Sequence, residues 1–152
     1  MLTNLDNIGM LIGEYKHTID LKKRLAIPAK FRKELGEKAV VTRGIDKCLF
    51  VYPLKEWEVF AEKLSKLPVG QSNSRSFSRV MLAGAQDVEM DSLGRIIIPE
   101  YLKQYAGLSR KAVIVGLYNR LEIWDENSWK GYQDNAERSA GEIAEKLSEL
   151  GI

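Results

Sequence analysis

Apolar and polar residues alternate through Tyr15-Lys16-His17-Thr18-Ile19 and again through Val88-Glu89-Met90, the period-two pattern of a strand with one buried face. Each alternating stretch runs into an aspartate. Four residues later an arginine opens a short apolar run that stops at a proline: IDLKKRLAIP over 19–28 and MDSLGRIIIP over 90–99. Each proline introduces a stretch with helical spacing, PAKFRKELG and PEYLKQYAG. The proline suits a first helical turn, and Gly36 or Gly107 suits a left-handed cap at the end. The β-branched runs AVVT and AVIV then suit buried strands. Further strands follow in KCLFVYP and RLEIWD, and each leads into a longer helix. In the first of these, Leu54, Trp57, Phe60, Ala61 and Leu64 fall at three- and four-residue spacing, and Pro68 ends the pattern.

The chain therefore repeats itself. Pro28 matches Pro99, Gly44 matches Gly116, Val51 matches Ile123, Tyr52 matches Trp124 and Trp57 matches Trp129. The offset is 71 residues at first and 72 later, which calls for one small insertion. The expected division is a first repeat over 11–68, a linker with a short helix over 69–84, a second repeat over 85–132 and a helical tail over 133–152. The polar start, residues 70–76, reads as a linker, and the segment after it is apolar enough for the short helix. The tail carries an apolar stripe of Ile143, Leu147 and Leu150. A unit this small is short of core on its own. The expectation is a β-rich α+β fold with pseudo-twofold symmetry, in which strands of both halves share one barrel-like core.

Composition narrows the chemistry. The 152 residues are 45% hydrophobic and 29% charged, values of a soluble globular chain. No apolar run approaches the roughly 18 residues of a membrane span. The N-terminus lacks the basic and apolar regions of a secretory signal, and Met10 offers an alternative start that would leave residues 1–9 as an upstream extension. One cysteine and one histidine exclude a disulfide framework and a multi-cysteine metal site. Cys48, in an apolar run, reads as a buried thiol, and His17 as a half-exposed strand residue. With no nucleophile pattern, phosphate loop or metal spacing, no catalytic residue, metal site, cofactor or small-molecule substrate is expected. Net charge is +2, but residues 1–76 hold 14 basic and 9 acidic side chains whereas 77–152 hold 9 and 12. The excess gathers in sequence around the first motif, at Lys16, Lys22, Lys23, Arg24, Lys30, Arg32 and Lys33. Such asymmetry points to a polyanionic partner.

The Asp-x-x-x-Arg segment sits between two strands and reads as a hairpin tip. Aspartate opens turns because its carboxylate accepts backbone N–H groups. Gly94 takes positive φ without steric cost. A turn held by an exposed ion pair is the plain reading, and that pair contributes at most about 1 kcal/mol. The sharper reading is that the arginines face phosphate or guanine edges, which a guanidinium binds in bidentate fashion.

This duplicated motif, with its apolar run, proline and short helix, resembles the MraZ family within the AbrB-like, swapped-hairpin β-barrel superfamily. The likeness runs from about Leu11 to Tyr132. It implies a duplicated swapped-hairpin barrel and a bacterial transcriptional regulator that is cytoplasmic and nucleoid-associated. Such a protein binds direct repeats of double-stranded DNA in the promoter of the division and cell-wall gene cluster, its own gene included, as a ring-shaped homo-oligomer without a membrane. Carried over by position, it assigns DNA contact to Arg24 and Arg95 and phosphate contact to Lys22, Lys23 and Ser92. Asp20, Asp91 and Gly94 shape the turns. Lys23 departs from the glycine common at its position, so the first tip is expected to turn differently from the second. The alternative is an AbrB-like interaction module, of antitoxin or scaffold type, whose tips bind a protein.

Overall fold

The computed structural model describes residues 10–152, so the stretch read as an upstream extension lies outside the described residues. The first half holds β1 (Leu11–Thr18), β2 (Arg24–Ala26), α1 (Ala29–Leu35), β3 (Lys38–Arg43), β4 (Leu49–Pro53) and α2 (Leu54–Ser65). The second repeats the order with β5 (Gln86–Glu89), β6 (Arg95–Ile97), α4 (Glu100–Tyr105), β7 (Lys111–Tyr118), β8 (Leu121–Asp125) and α5 (Glu126–Arg138). Between them lies α3 (Ser72–Ser78), which runs on into a wider π-type turn over Arg79–Ala83. The polar stretch 70–76 is thus largely helical. The last helix, α6, spans Ala140–Leu147.

The halves do not form sheets of their own. Six strands lie antiparallel in the order β1-β7-β8-β4-β3-β5, and β2 pairs with β6 in a separate ribbon. Among the described residues of the first half, only β3 and β4 pair with each other; β1 goes to β7, and the second half's β5 returns to β3. The exchange is symmetric. Leu25 faces Ile96, its own repeat equivalent, flanked by Arg24 opposite Ile97 and Ala26 opposite Arg95. Likewise Phe50 faces its equivalent Glu122 at the centre of the β4–β8 pair. Two strand pairs centred on equivalent residues define a local twofold axis.

The register also corrects the repeat alignment. Val41 faces Val51, and Ile114 faces Ile123, so β3 and β7 are offset by 73 residues rather than 72. Gly116 accordingly occupies the place of Arg43, not of Gly44. Two extra residues enter between α4 and β7, and one is lost from the β7–β8 turn.

Inside, Leu25, Ile27, Phe31, Val41 and Val51 meet Ile96, Ile98, Leu102, Ile114 and Ile123 in one cluster, with all ten side chains essentially without solvent contact. Each such side chain contributes about 1.5–3 kcal/mol on burial. A second cluster covers the other face of the sheet. Phe50, Tyr52 and Trp124 lie there beneath Trp57 and Phe60 of α2 and Trp129 of α5. Asp125 caps α5, accepting the Ser128 N–H at 3.4 Å. Cys48 is fully buried in this layer, where desolvation pushes its thiol up to about 12. His17 is half-buried on β1.

Candidate nucleic-acid interface

At each motif the chain reverses within five residues. The Lys23 N–H donates to the Asp20 carbonyl at 3.0 Å, and the Gly94 N–H to the Asp91 carbonyl at 3.0 Å. Asp20 and Asp91 also donate their own N–H groups to the carbonyls of Arg24 and Arg95, at 3.1 and 2.9 Å. There the local ladder stops, because β1 and β2 part to join strands of the other half. Each motif is a tight turn at the point of exchange.

Both oxygens of each carboxylate are engaged. Asp20 Oδ1 accepts the N–H groups of Lys22 and Arg24, each at 2.9 Å, while Oδ2 accepts Arg24 Nε at 2.7 Å. Asp91 repeats this with Leu93 and Arg95 at 2.9 Å, and with Arg95 Nε at 2.8 Å. The short aspartate side chain reaches donors two and four residues on, which is why the spacing is fixed. The backbone donor of each arginine, with the guanidinium next, holds both carboxyls below their usual range. The pairing takes the Nε edge of each guanidinium, and the side chains of Arg24 and Arg95 keep 30% and 27% of their surface in solvent.

The tips adopt one turn, contrary to the expectation drawn from the missing glycine. Lys23 has φ +63° and Gly94 φ +75°. Their carbonyls accept equivalent bonds across the axis, Lys23 from Ile98 at 2.8 Å and Gly94 from Ile27 at 2.9 Å. Those crossed bonds hold lysine in the left-handed region. Its ammonium then reaches Glu100 of α4 at 2.7 Å. Lys22 and Ser92 are exposed at the tips.

The charge that looked continuous in sequence is divided in space. Arg32 lies against Gly94 of the second tip, its Nε donating to the Ile27 carbonyl at 2.7 Å. Lys30 stands over the Tyr15 ring. Conversely, Lys103 and Arg110 of the second half line a hollow of about 480 Å³ beside the first tip, with Thr18, Ile19, Asp20 and Lys23. Neither was legible as part of the first motif, because only the strand exchange brings them there. Leu21, fully exposed, and Leu93, at 61%, stand at the apices and were also missed.

Comparison with known proteins agrees with this duplicated geometry. A family described as "MraZ protein, putative antitoxin-like" matches twice, over residues 10–80 and 81–149. The chain belongs to the MraZ family. A protein of Halothermothrix orenii named "Transcriptional regulator MraZ" is 52% identical over 143 residues, 94% of this chain and all of the relative. One of Caldicellulosiruptor bescii with the same name is 50% identical over the same span. A third, from Carboxydothermus hydrogenoformans, is 49% identical over 91% of this chain and 96% of its own length. Within the family's double match, each copy contains one Asp-x-x-x-Arg turn.

Proposed function

We propose that the protein is a transcriptional regulator that binds double-stranded DNA through its two Asp-x-x-x-Arg turns. The observation that carries this reading is the turn itself, built twice with the same hydrogen bonds. An isolated turn needs no such duplication, whereas a reader of repeated DNA gains from it. The aspartate takes one edge of the guanidinium and fixes its direction, and the remaining N–H groups match a phosphate or a guanine edge. Arg24 and Arg95 are the principal contacts, with Lys22 and Ser92 beside them. Lys23 contributes charge from within its ion pair to Glu100. The relatives' name supports transcriptional regulation; the site has no catalytic constellation in this reading.

The target we propose is the promoter of the protein's own gene within the bacterial division and cell-wall cluster, read as tandem direct repeats. One pair of turns touches few phosphates. A ring of identical subunits on tandem sites gains through effective concentration. The test is a shift assay on DNA upstream of the gene at two salt concentrations, beside a native mass measurement. Binding should weaken steeply with salt as counterions are released. Arg24→Ala with Arg95→Ala should abolish it with the fold intact, and unchanged affinity would remove the site assignment.

A second reading has one observation in its favour. Leu21 and Leu93 expose apolar surface at the tips, which suits a protein partner. Capture of a stoichiometric protein partner through the tips, without salt-sensitive DNA binding, would establish that alternative.

A further inference from the structure

We infer that the hollow beside the first turn is a seat for a DNA backbone phosphate, formed by Lys103 and Arg110, and that the two turns are therefore unequal in binding. The inference rests on the DNA reading above. Strand exchange places the start of α4 and the entry to β7 next to the first turn: Ile19 N–H donates to the Arg110 carbonyl at 2.7 Å, and Lys23 reaches Glu100 at 2.7 Å. Lys23, Lys103 and Arg110 line the hollow, Lys22 stands exposed on the same turn, and the two acids there, Asp20 and Glu100, are each already held in an ion pair, to Arg24 and Lys23. Lys103 lies close enough to Glu100 to help lower its carboxyl, after Lys23. Arg110 is exposed, and among the described residues Asp20 is the only acid lining the hollow.

The second turn has the same backbone and a different neighbourhood. Met90 N–H donates to the Glu37 carbonyl at 2.8 Å, so Glu37 stands where Arg110 stands at the first turn. Arg32 takes the place of Lys103, but it lies on Gly94 and bonds to the Ile27 carbonyl. Leu93 replaces Lys22. At the second turn Arg95 and Arg32 are balanced by Asp91 and Glu37. A phosphate flanking the bases under the first turn meets surplus positive charge, and one flanking the second turn does not.

The experiment compares full-length wild type with K103Q/R110Q on the promoter duplex, over a range of salt. One phosphate contact corresponds to a change of about 0.9, for each subunit on the duplex, in the slope of log affinity against log salt. The expected result is a slope shallower by that amount and an affinity loss of roughly tenfold or more at low salt, equal on matched and mismatched duplexes. K103R/R110K should retain the slope. K63Q/K130Q, which removes two charges from α2 and α5, should also retain it. An unchanged slope in K103Q/R110Q, or an equal change in K63Q/K130Q, would overturn the inference. Absence of salt-sensitive DNA binding by the wild type would instead overturn the DNA reading beneath it. Binding that is lost in R24A/R95A but indifferent to K103Q/R110Q would leave the reading and remove only the phosphate seat.

Discussion

Lys23 and Gly94 hold the same backbone place, and the difference between them sets what each tolerates. A left-handed non-glycine residue costs roughly 1–2 kcal/mol. Lys23→Gly relieves that cost but loses an exposed ion pair worth at most about 1 kcal/mol and adds unfolded-state freedom worth roughly 0.5–1 kcal/mol. These terms nearly cancel, so urea unfolding of Lys23→Gly should give a stability within about 1 kcal/mol of wild type. The reverse change is not symmetric. A Cβ on Gly94 would lie 2.8 Å from Arg32 Cδ and nearer still to its guanidinium, so Gly94→Lys meets both backbone strain and displacement of Arg32. It should cost at least about 1–2 kcal/mol. The aspartates carry a separate signature. Their carboxyls are held below the usual range in the folded state, so the turn's contribution is present above the unfolded-state value and disappears as pH falls through the lowered folded value. Carboxyl NMR titration should place Asp20 and Asp91 below an unperturbed aspartate. In Arg24→Ala, which keeps the backbone N–H but removes the guanidinium, the Asp20 titration should move part of the way back towards it, and an Asp20 midpoint that stayed put would show that the guanidinium adds nothing to the backbone donors.

β2 and β6 are three residues each, too short to persist without the pairing across the axis. Leu25 and Ile96 face one another there at 0% and 1% exposure. Leu25→Ala should cost about 2–5 kcal/mol in chemical unfolding, and Leu25→Ala with Ile96→Ala should deviate from the sum of the singles because the two residues share one contact. Additive losses would mean that the ribbon does not couple the halves. The ribbon also marks what sequence could convey. The repeat, the strand alternation, α1, α2 and the turn chemistry were readable, because each depends on residues within one turn or one face. Which strand pairs with which was not, since Tyr15 and Val88 alternate the same way whether their partner is in their own half or the other. The positions of Lys103, Arg110 and Arg32 followed from that pairing and were hidden with it. The helix over Ser72–Ser78 was missed for another reason: SNSRSFS has weak intrinsic propensity, and the apolar turn that follows it, with Met81 buried against the sheet, holds it in place.

At the scale of the molecule, one chain does what two chains could do. A segment of residues 10–84 retains only the β3–β4 pair of the sheet and leaves β1, β2 and the outer edges of both β3 and β4 without partners. The axis pairs set equivalent residues face to face, so a second copy of the same segment can supply every lost pairing. Leu25 would oppose Leu25, and Phe50 would oppose Phe50, both apolar and compatible with burial. The second half is different. Its axis residue is Glu122, which in the whole chain opposes Phe50 and is buried, with desolvation raising its carboxyl above the usual range. Two copies of residues 85–152 would set Glu122 against Glu122, and like charges directly opposite across a strand pair are destabilising. Sedimentation of the separate segments at neutral pH should therefore find 10–84 as a dimer whose stability rises with concentration, and 85–152 as a weakly associating or unfolded chain. Acidification that protonates the paired carboxylates, or Glu122→Phe, should strengthen association of 85–152. A folded monomer from either segment would show that the exchange of strands is not what holds the halves together.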